Sequence, residues 1–369
     1  MKKIRVAVIF GGTNTEHEVS IVSARSILQY LSPAKYEVIP IQISKDNLWT
    51  TQRQLDPGSK QLKSSKSSTT QLTTTAHELP MLDTIDDQKI NIVFPVIHGP
   101  MGEDGTLQGM LEMAKVPYVG CGVLASAVCM DKPAQKAICQ HYGIPTSPYY
   151  RFTQHQWETS QAECLKDCQR LCRYPMFVKP ANQGSSVGVS KATDRPSLIS
   201  AIEHALLYDI KIIVEEGVAH VREIECSVLG NDEPQASVLG EIVASNDFYD
   251  YDAKYVDGKS RAIIPADLPE KLSAEIRACA LKAFQVLSCS GLARVDFLLD
   301  NVTNQFYLNE LNTMPGFTSI SMYPKLWQAS GVSYSELLDK LIELALEKSA
   351  EKSAIHTSYT PKTDWYAQK

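Results

Sequence analysis

The stretch GLARVDFLLD (291–300), the turn DNVTN (300–304) and QFYLNELNTMPGFTSISM (305–322) decide how this chain reads. ARVDFLL and QFYLNEL are β-rich runs joined by a short polar turn, which predicts a hairpin. Asp296 falls on the first strand, and Glu310 and Asn312 fall near the end of the second. Side chains alternate along a strand, so Glu310 and Asn312 share a face, and Asp296 joins them if the strands pair as written. Three oxygen ligands on rigid strands, with room for water and phosphate oxygens, suit Mg²⁺. Arg294 lies two residues before Asp296 and points the same way, setting a cation beside the acids. These charges interrupt apolar strands, where unpaired charge is costly to bury. They read as a site rather than as scattered surface charge.

Composition sets the bounds around that site. A chain of 369 residues predicts two or three domains. Apolar content of 44% and charged content of 21% are those of an ordinary globular protein. A net charge of −6 argues against nucleic acid as a partner. No apolar run is long enough to span a membrane. The start, MKKIRVAVIFGG (1–12), has the lysines and apolar stretch of a signal peptide. Arg5 interrupts it and no small-residue cleavage site follows, so it predicts a first β-strand. Nine cysteines show neither disulfide nor zinc spacing. Cys164, Cys168 and Cys172 repeat every four residues on one face of an expected helix. They read as small apolar residues in a reducing, cytoplasmic setting.

The chain divides into three parts and a tail. Residues 1–125 alternate strand and helix: KIRVAVIF, a helix over 16–31, YEVIPIQI, NIVFPVIHG, and a helix over 103–114. This order predicts a parallel sheet with helices on its faces. Ligands bind such sheets at the carboxyl ends of the strands, where GGTNTEHEVS (11–20) and HGPMGEDG (98–105) fall. The polar segment 51–79 has no periodicity and reads as a surface insertion. Residues 126–220 open with one helix over 125–141, then YPMFVKP, NQGSSVGVS, a helix over 195–207 and KIIVEEGV. Residues 221–350 hold two further strands, a long Tyr- and Asp-rich loop at 245–261 that reads as a flap, a helix over 270–288, the acidic hairpin and a last helix over 334–347. The tail 351–369 is polar and expected to fray.

Glycine loop GSSVG (184–188) follows a strand that ends near Lys179. Backbone N–H groups of such a loop can cradle phosphates, and Lys179 can reach the same oxygens. The loop is neither a Walker A sequence nor a Rossmann fingerprint, and alone it is also compatible with a plain connecting turn.

A lysine with a glycine loop, an Asp/Glu/Asn cluster and a neighbouring arginine together resemble the ATP-grasp superfamily, and more closely the D-alanine–D-alanine ligases. The resemblance runs through VIFGGTNTEHEVS, HGPMGEDGTLQGMLE, VKPANQGSSVGVS, FYDYDAKY, GLARVDF and NELNTMPGFTSISMYPKLW, leaving out only 51–79 and the tail. It implies an α/β chain, α+β in its C-terminal parts, with an ATP-grasp fold behind an N-terminal parallel-sheet domain. It implies ATP as substrate, two Mg²⁺ (or Mn²⁺) ions, D-alanine as the other substrate, a homodimer, and a place in peptidoglycan precursor synthesis.

The same resemblance supplies roles. Lys132, Lys179, Gly184, Ser186 and the flap residue Lys254 match phosphate contacts. Glu215, Glu216 and Val218 match the adenine-binding segment, and Glu223 matches the ribose ligand. Asp296, Glu310 and Asn312 match the two-ion site, with Glu310 bridging. Glu16, linked to Ser185 and Tyr255, matches the group that fixes the first D-alanine's ammonium. His98 lies near that substrate's carboxylate. Arg294 and the amide of Gly316 match an oxyanion-binding pair. Ser321 and Met322 match the pocket for the second carboxylate. The nearest other readings are ligases joining D-alanine to D-serine or D-lactate. Enzymes of the D-lactate type lack the tyrosine that stands here as Tyr255. A non-catalytic ATP-grasp protein is the third reading, and the intact Asp296, Glu310, Asn312 and Arg294 weigh against it.

Overall fold

The computed structural model describes residues 2–52, 69–71, 84–85, 88–243 and 261–359. Lys254 and Tyr255, and all but the last residue of the expected flap, lie outside them.

The first sheet forms where the sequence alternates. Strands β1 (Ile4–Gly11) and β2 (Tyr36–Ile43) pair in parallel across the helix α1 (His17–Tyr30). Strands β3 (Trp49–Gln52) and β4 (Thr69–Gln71) continue the sheet antiparallel beyond β2, so parts of the polar 51–79 segment belong to it. Strands β5 (Thr84–Ile85) and β6 (Gln88–Lys89) form a separate small pair. Strand β7 (Ile92–Pro95) returns parallel to β1, giving the order β4-β3-β2-β1-β7. Strands β1 and β7 are wholly apolar and buried apart from their ends and Arg5, as expected for a parallel sheet covered on both faces. Helix α2 (Thr106–Met113) is shorter than the 103–114 read from sequence, because the turn holding Gly105 in a left-handed conformation starts it later.

The expected single helix over 125–141 is two helices, α3 (Val123–Met130) and α4 (Lys132–His141). Asp131 sits extended between them and its carboxylate accepts the Ala134 N–H at 3.0 Å, while Pro133 stands in the first turn of α4. An acidic N-cap followed by proline starts a new helix instead of extending the old one.

Strand β8 (Tyr149–Thr153) and helix α5 (Gln154–Leu171) follow. Then come β9 (Met176–Pro180), β10 (Ser190–Ala192), helix α6 (Arg195–Ala205) and β11 (Lys211–Glu216). The four strands make an antiparallel sheet in the order β10-β9-β11-β8. Cys164, Cys168 and Cys172 are buried in the core beneath it, with Phe152 and Val178. All nine cysteines are free thiols.

The third sheet is antiparallel, β14-β13-β12-β15-β16. Its strands are β12 (Val221–Gly230), β13 (Gln235–Val243), β14 (Arg261–Ile263), β15 (Gly291–Asp300) and β16 (Phe306–Asn312). Helix α7 (Glu270–Val286) covers its apolar face through Ile276, Ala280 and Phe284. Helices α8 (Met322–Ala329) and α9 (Tyr334–Ser353) close the chain. Their Tyr323, Trp327, Leu338 and Leu341 pack against Val8, Phe10 and Phe94, so the first and last parts of the chain share one core. Helix α9 runs past the expected end at 347 because Lys348 folds onto the Ser290 hydroxyl and Lys352 onto Glu112. Among the described residues no helix is long and apolar enough to cross a membrane.

Candidate active site

The hairpin β15–β16 pairs Asp296 with Glu310 and Arg294 with Asn312, so all four side chains share one face, as their spacing predicts. The register slips between Asp296 and Phe297, which pairs with Leu308, leaving Asn309 as an extra residue. This bulge aims the Asn309 amide at Lys179, whose ammonium donates to its Oδ1 at 3.1 Å. On the other side of β15, Glu225 of β12 stands opposite Asp296. Glu225, Asp296 and Glu310 thus form a row of carboxylates across three adjacent strands.

Like charges placed directly opposite repel, and the protein answers with cations. Arg294 donates from Nε and a terminal nitrogen to both oxygens of Asp296, at 2.7 and 2.7 Å, and lies 3.1 Å from Glu225. Burial works against the Arg294 charge, but Asp296 and Glu225 outweigh it and hold the guanidinium firmly protonated. Asn312 donates to Asp296 at 2.9 Å, and Lys132 lies 3.4 Å from Glu310. The donors of Asp296, Glu310 and Asn312 are oxygens alone, the set that suits a hard divalent cation. Among the described residues no three His, Cys, Asp or Glu side chains converge on one point. Two carboxylates of the row and an amide are what the hairpin offers, and three acids balanced by one shared arginine and one lysine fit Mg²⁺ or Mn²⁺ as a further counter-charge.

Facing this row across a cavity of about 310 Å³ are residues from the carboxyl ends of the first sheet. Glu16 caps α1 and is 6% exposed. The Ser185 hydroxyl of the glycine loop donates to its carboxylate. Loop and acid approach so closely that a Cβ on Gly184 or Gly99 would stand 2.6 or 2.4 Å from Glu16 Oε2. Ser185 and Ser186 both adopt left-handed backbone angles, φ 49° and 59°. That turn directs successive amides to one side, the arrangement that holds anions.

His98 is buried beside Glu16. Its Nε2 lies 3.0 Å from the Ser23 hydroxyl and its Nδ1 lies 3.0 Å from the Met314 carbonyl and 3.6 Å from Glu103. Burial alone would lower the His98 pKa, but the Glu103 carboxylate, with Glu16 behind it, raises it above the ordinary value. Burial raises Glu103 as well.

The nucleotide-side residues sit around Glu215, near the carboxyl end of β11. Its Oε2 accepts from Lys179 at 2.8 Å and its Oε1 lies 3.3 Å from Lys136. Burial would raise the Glu215 pKa, yet the two lysines hold it below the usual carboxylate value. Lys132 donates to the Gln183 carbonyl at 2.7 Å, tying α4 to the glycine loop. Glu223 lines the cavity from β12.

Some expected residues lie elsewhere. The Glu216 carboxylate is turned away from the cavity and takes three donors from Arg173, at 2.8, 3.1 and 2.8 Å. Its own amide donates to the Pro148 carbonyl. The reason is strand alternation: neighbours Glu215 and Glu216 point to opposite faces. Val218 follows in the loop and, like Lys132, Lys179, Ser186 and Glu215, stands outside the lining of the cavity that holds Glu16 and Asp296. Met322, by contrast, does line the cavity beside Ser321, as the first residue of α8, while most of its side chain is buried with Ile242 and Leu326. Ser321, the residue before it, accepts the Thr318 N–H at 3.0 Å, and Gly316 lies close against its hydroxyl.

Four residues of this site were not singled out from sequence: Lys136, Glu225, Glu103 and Ser23. Two left signals. Lys136 follows Lys132 by one helical turn in MDKPAQK, and Glu225 alternates with Glu223 in REIE.

A lysine-flanked glycine loop on one antiparallel sheet, closing against an acidic hairpin on another, defines an ATP-grasp enzyme. Residues 5–121 match the family described as D-ala D-ala ligase N-terminus, and residues 138–343 match D-ala D-ala ligase C-terminus. The chain belongs to the D-alanine–D-alanine ligase family. It is 48% identical to the D-alanine–D-alanine ligase of Caldicellulosiruptor bescii, over 97% of this chain and 99% of the relative. It is 46% identical to that of Chloroherpeton thalassium, over 95% and 99%. Among solved structures, the D-alanine–D-alanine ligase of Coxiella burnetii superposes with a TM-score of 0.82 at 35% identity, over 96% of this chain and 97% of that one. The VanG D-Ala:D-Ser ligase of Enterococcus faecalis superposes with a TM-score of 0.83 at 34% identity, over 93% and 100%.

Proposed function

We infer that this chain joins two molecules of D-alanine into D-alanyl-D-alanine while splitting ATP to ADP and phosphate, as a step of peptidoglycan precursor synthesis. Family membership over both halves of the chain supports the reaction. The observation that carries it into this site is the Glu16–Ser185 link opposite Arg294 and Asp296 across one cavity.

In this reading the first D-alanine lies with its ammonium on Glu16 and its carboxylate toward the glycine loop. That carboxylate attacks the γ-phosphorus of ATP. The bond to the β-phosphate oxygen breaks, ADP leaves, and an acyl phosphate forms. Lys132, Lys179 and the amides of 184–186 steady the phosphates, and the strand ending at Glu216, with Glu215 and the backbone near Val218, takes the adenine. Glu223 holds the ribose. Asp296, Glu310 and Asn312 would hold two Mg²⁺ or Mn²⁺ ions, which supply charge neutralisation for phosphoryl transfer. The second D-alanine brings its carboxylate to Ser321 and the first amides of α8, a helix N-terminus suited to an anion. Its amine attacks the acyl carbon, Arg294 and the Gly316 amide face the oxyanion, and the tetrahedral species expels phosphate. His98, held by Ser23 and Glu103, lies behind the first substrate. Residues Lys254 and Tyr255 of the 245–261 loop would complete the closure and exclude water from the acyl phosphate. The parts 1–125, 126–220 and 221–350 act as the three walls of the cavity. The family reading extends to a homodimer in the cytoplasm, a setting that suits the free thiols.

The test is ADP formation with D-alanine, D-serine and D-lactate offered singly and in pairs, followed by mass analysis of the product. D-alanine alone should support turnover and yield the dipeptide. The similarity to a D-Ala:D-Ser ligase favours one second reading, and a mixed D-alanyl-D-serine product as the main species would establish it.

A further inference from the structure

We propose that Lys136 is a positioning residue, a permanent counter-ion for Glu215 that leaves Lys179 able to exchange Glu215 for the phosphates of the nucleotide. The inference rests on the nucleotide site described above. Glu215 is 2% exposed and touches two lysines that differ in what they can reach. The Lys179 side chain is 13% exposed and also meets Asn309 on the bulge at the cavity wall. The Lys136 side chain is 0% exposed. Beyond Glu215, its ammonium lies 3.4 Å from the Ser147 hydroxyl and 3.4 Å from the Leu308 carbonyl, both neutral acceptors inside the fold. Lys136 therefore cannot meet a ligand, whereas Lys179 can.

The two contacts are also unlike in kind. Lys179 makes a directed hydrogen bond to Oε2 at 2.8 Å. Oε1 has no hydrogen-bond partner among the described residues, and its compensation is the Lys136 charge at 3.3 Å. Breaking a buried pair by removing one partner is costly, because the other charge is left without compensation. If Lys179 alone balanced Glu215, its departure to a phosphate would leave a buried naked carboxylate. With Lys136 fixed on the far oxygen, Glu215 keeps one cation throughout. The helix supplies the arrangement cheaply: Lys132 and Lys136 sit one turn apart on the same face of α4, Lys132 toward the glycine loop and Lys136 toward β11.

The experiment is calorimetric titration of the full chain with a non-hydrolysable ATP analogue and Mg²⁺, with steady-state kinetics alongside. Lys136→Met keeps the length and removes the charge, so Lys179 is held on Glu215. Analogue affinity should fall by about tenfold or more, while half-saturation by D-alanine stays within about threefold of the parent. Glu215→Gln removes the carboxylate through which Lys136 acts, so adding Lys136→Met to it should change affinity by less than about threefold. The double variant removes both charges of the fully buried Lys136–Glu215 pair, leaving only the partly exposed Lys179 charge, and decides the matter if Lys136→Met alone does not fold. An analogue affinity of Lys136→Met within about threefold of the parent would overturn the proposal. So would a double variant about tenfold weaker than Glu215→Gln. A parent that binds the analogue but makes no dipeptide would sink the proposed reaction and leave the role of Lys136 standing. A parent that binds no analogue would sink both.

Discussion

Ser185 and Glu16 stand 169 residues apart in the chain, and the Ser185 hydroxyl donates to the Glu16 carboxylate. One belongs to the loop after β9, the other to the turn between β1 and α1. Their link ties the glycine loop to the first sheet and shapes the wall of the cavity.

Ser185→Ala removes the donor and leaves a buried carboxylate short of a partner, at about 1–3 kcal/mol. Half-saturation for the first D-alanine should rise by roughly tenfold, since about 1.4 kcal/mol is a factor of ten. Initial rates over a range of D-alanine measure it, and a change below about twofold would remove the Glu16–Ser185 link from substrate binding.

His98 provides a pH signature. Its folded pKa lies above the unfolded value of about 6.5, because Glu103 more than offsets the lowering by burial. The protonated ring therefore stabilises the fold fully below that unfolded value, and the contribution is lost as pH rises through the folded pKa. Glu103→Gln deletes the carboxylate. The ring should then titrate at a lower pH by NMR, and the stability gap between parent and variant should narrow as pH is raised from about 6.5 upward. A gap that widens with pH would contradict the sign.

Much of this geometry was written in the sequence because the hairpin obeys one rule. Period-2 alternation sets Arg294 and Asp296 opposite Asn312 and Glu310, and the strands pair as spacing requires. The bulge at Asn309 was less legible. Its trace is that Leu308 and Leu311, both buried, stand three residues apart where a regular strand would place them two apart. The break at Asp131 leaves a short local signal, an acid followed two residues later by proline, but it sits inside a stretch that is helical on both sides. Partners such as Glu103 for His98 or Lys136 for Glu215 come from distant elements, and no local pattern announces which of many charged residues will be buried together. Glu216 shows the converse. The sequence groups it with Glu215 in one segment, yet alternation sends its carboxylate to Arg173 on the outer face.

The acidic hairpin yields a metal test. Glu310→Gln keeps the size of the side chain and removes its charge. The residue is a quarter exposed at the cavity wall, so the thermal midpoint should stay near the parental one. Turnover should be lost at ordinary magnesium concentrations, because a neutral amide is a poorer ligand for a hard dication than a carboxylate. Phosphate release measured across a magnesium series decides it. Near-parental turnover without added magnesium demand would refute Glu310 as a metal ligand.

Arg294→Lys separates positioning from charge. The guanidinium reaches both oxygens of Asp296 at 2.7 and 2.7 Å and still lies 3.1 Å from Glu225. A lysine carries the same charge as a single point and cannot span that set, so the exchange is not conservative. Two effects should follow. Asp296 loses the partner that fixes its orientation, and the reacting carbonyl loses a planar donor. Removal of one oxyanion donor typically costs ~10²-fold or more in turnover, so kcat should fall by about that factor. Binding of a non-hydrolysable ATP analogue should change far less, because Lys132, Lys179 and the glycine loop are untouched. If instead kcat falls by less than about threefold, Arg294 serves to neutralise the carboxylate row and takes no part in acyl transfer.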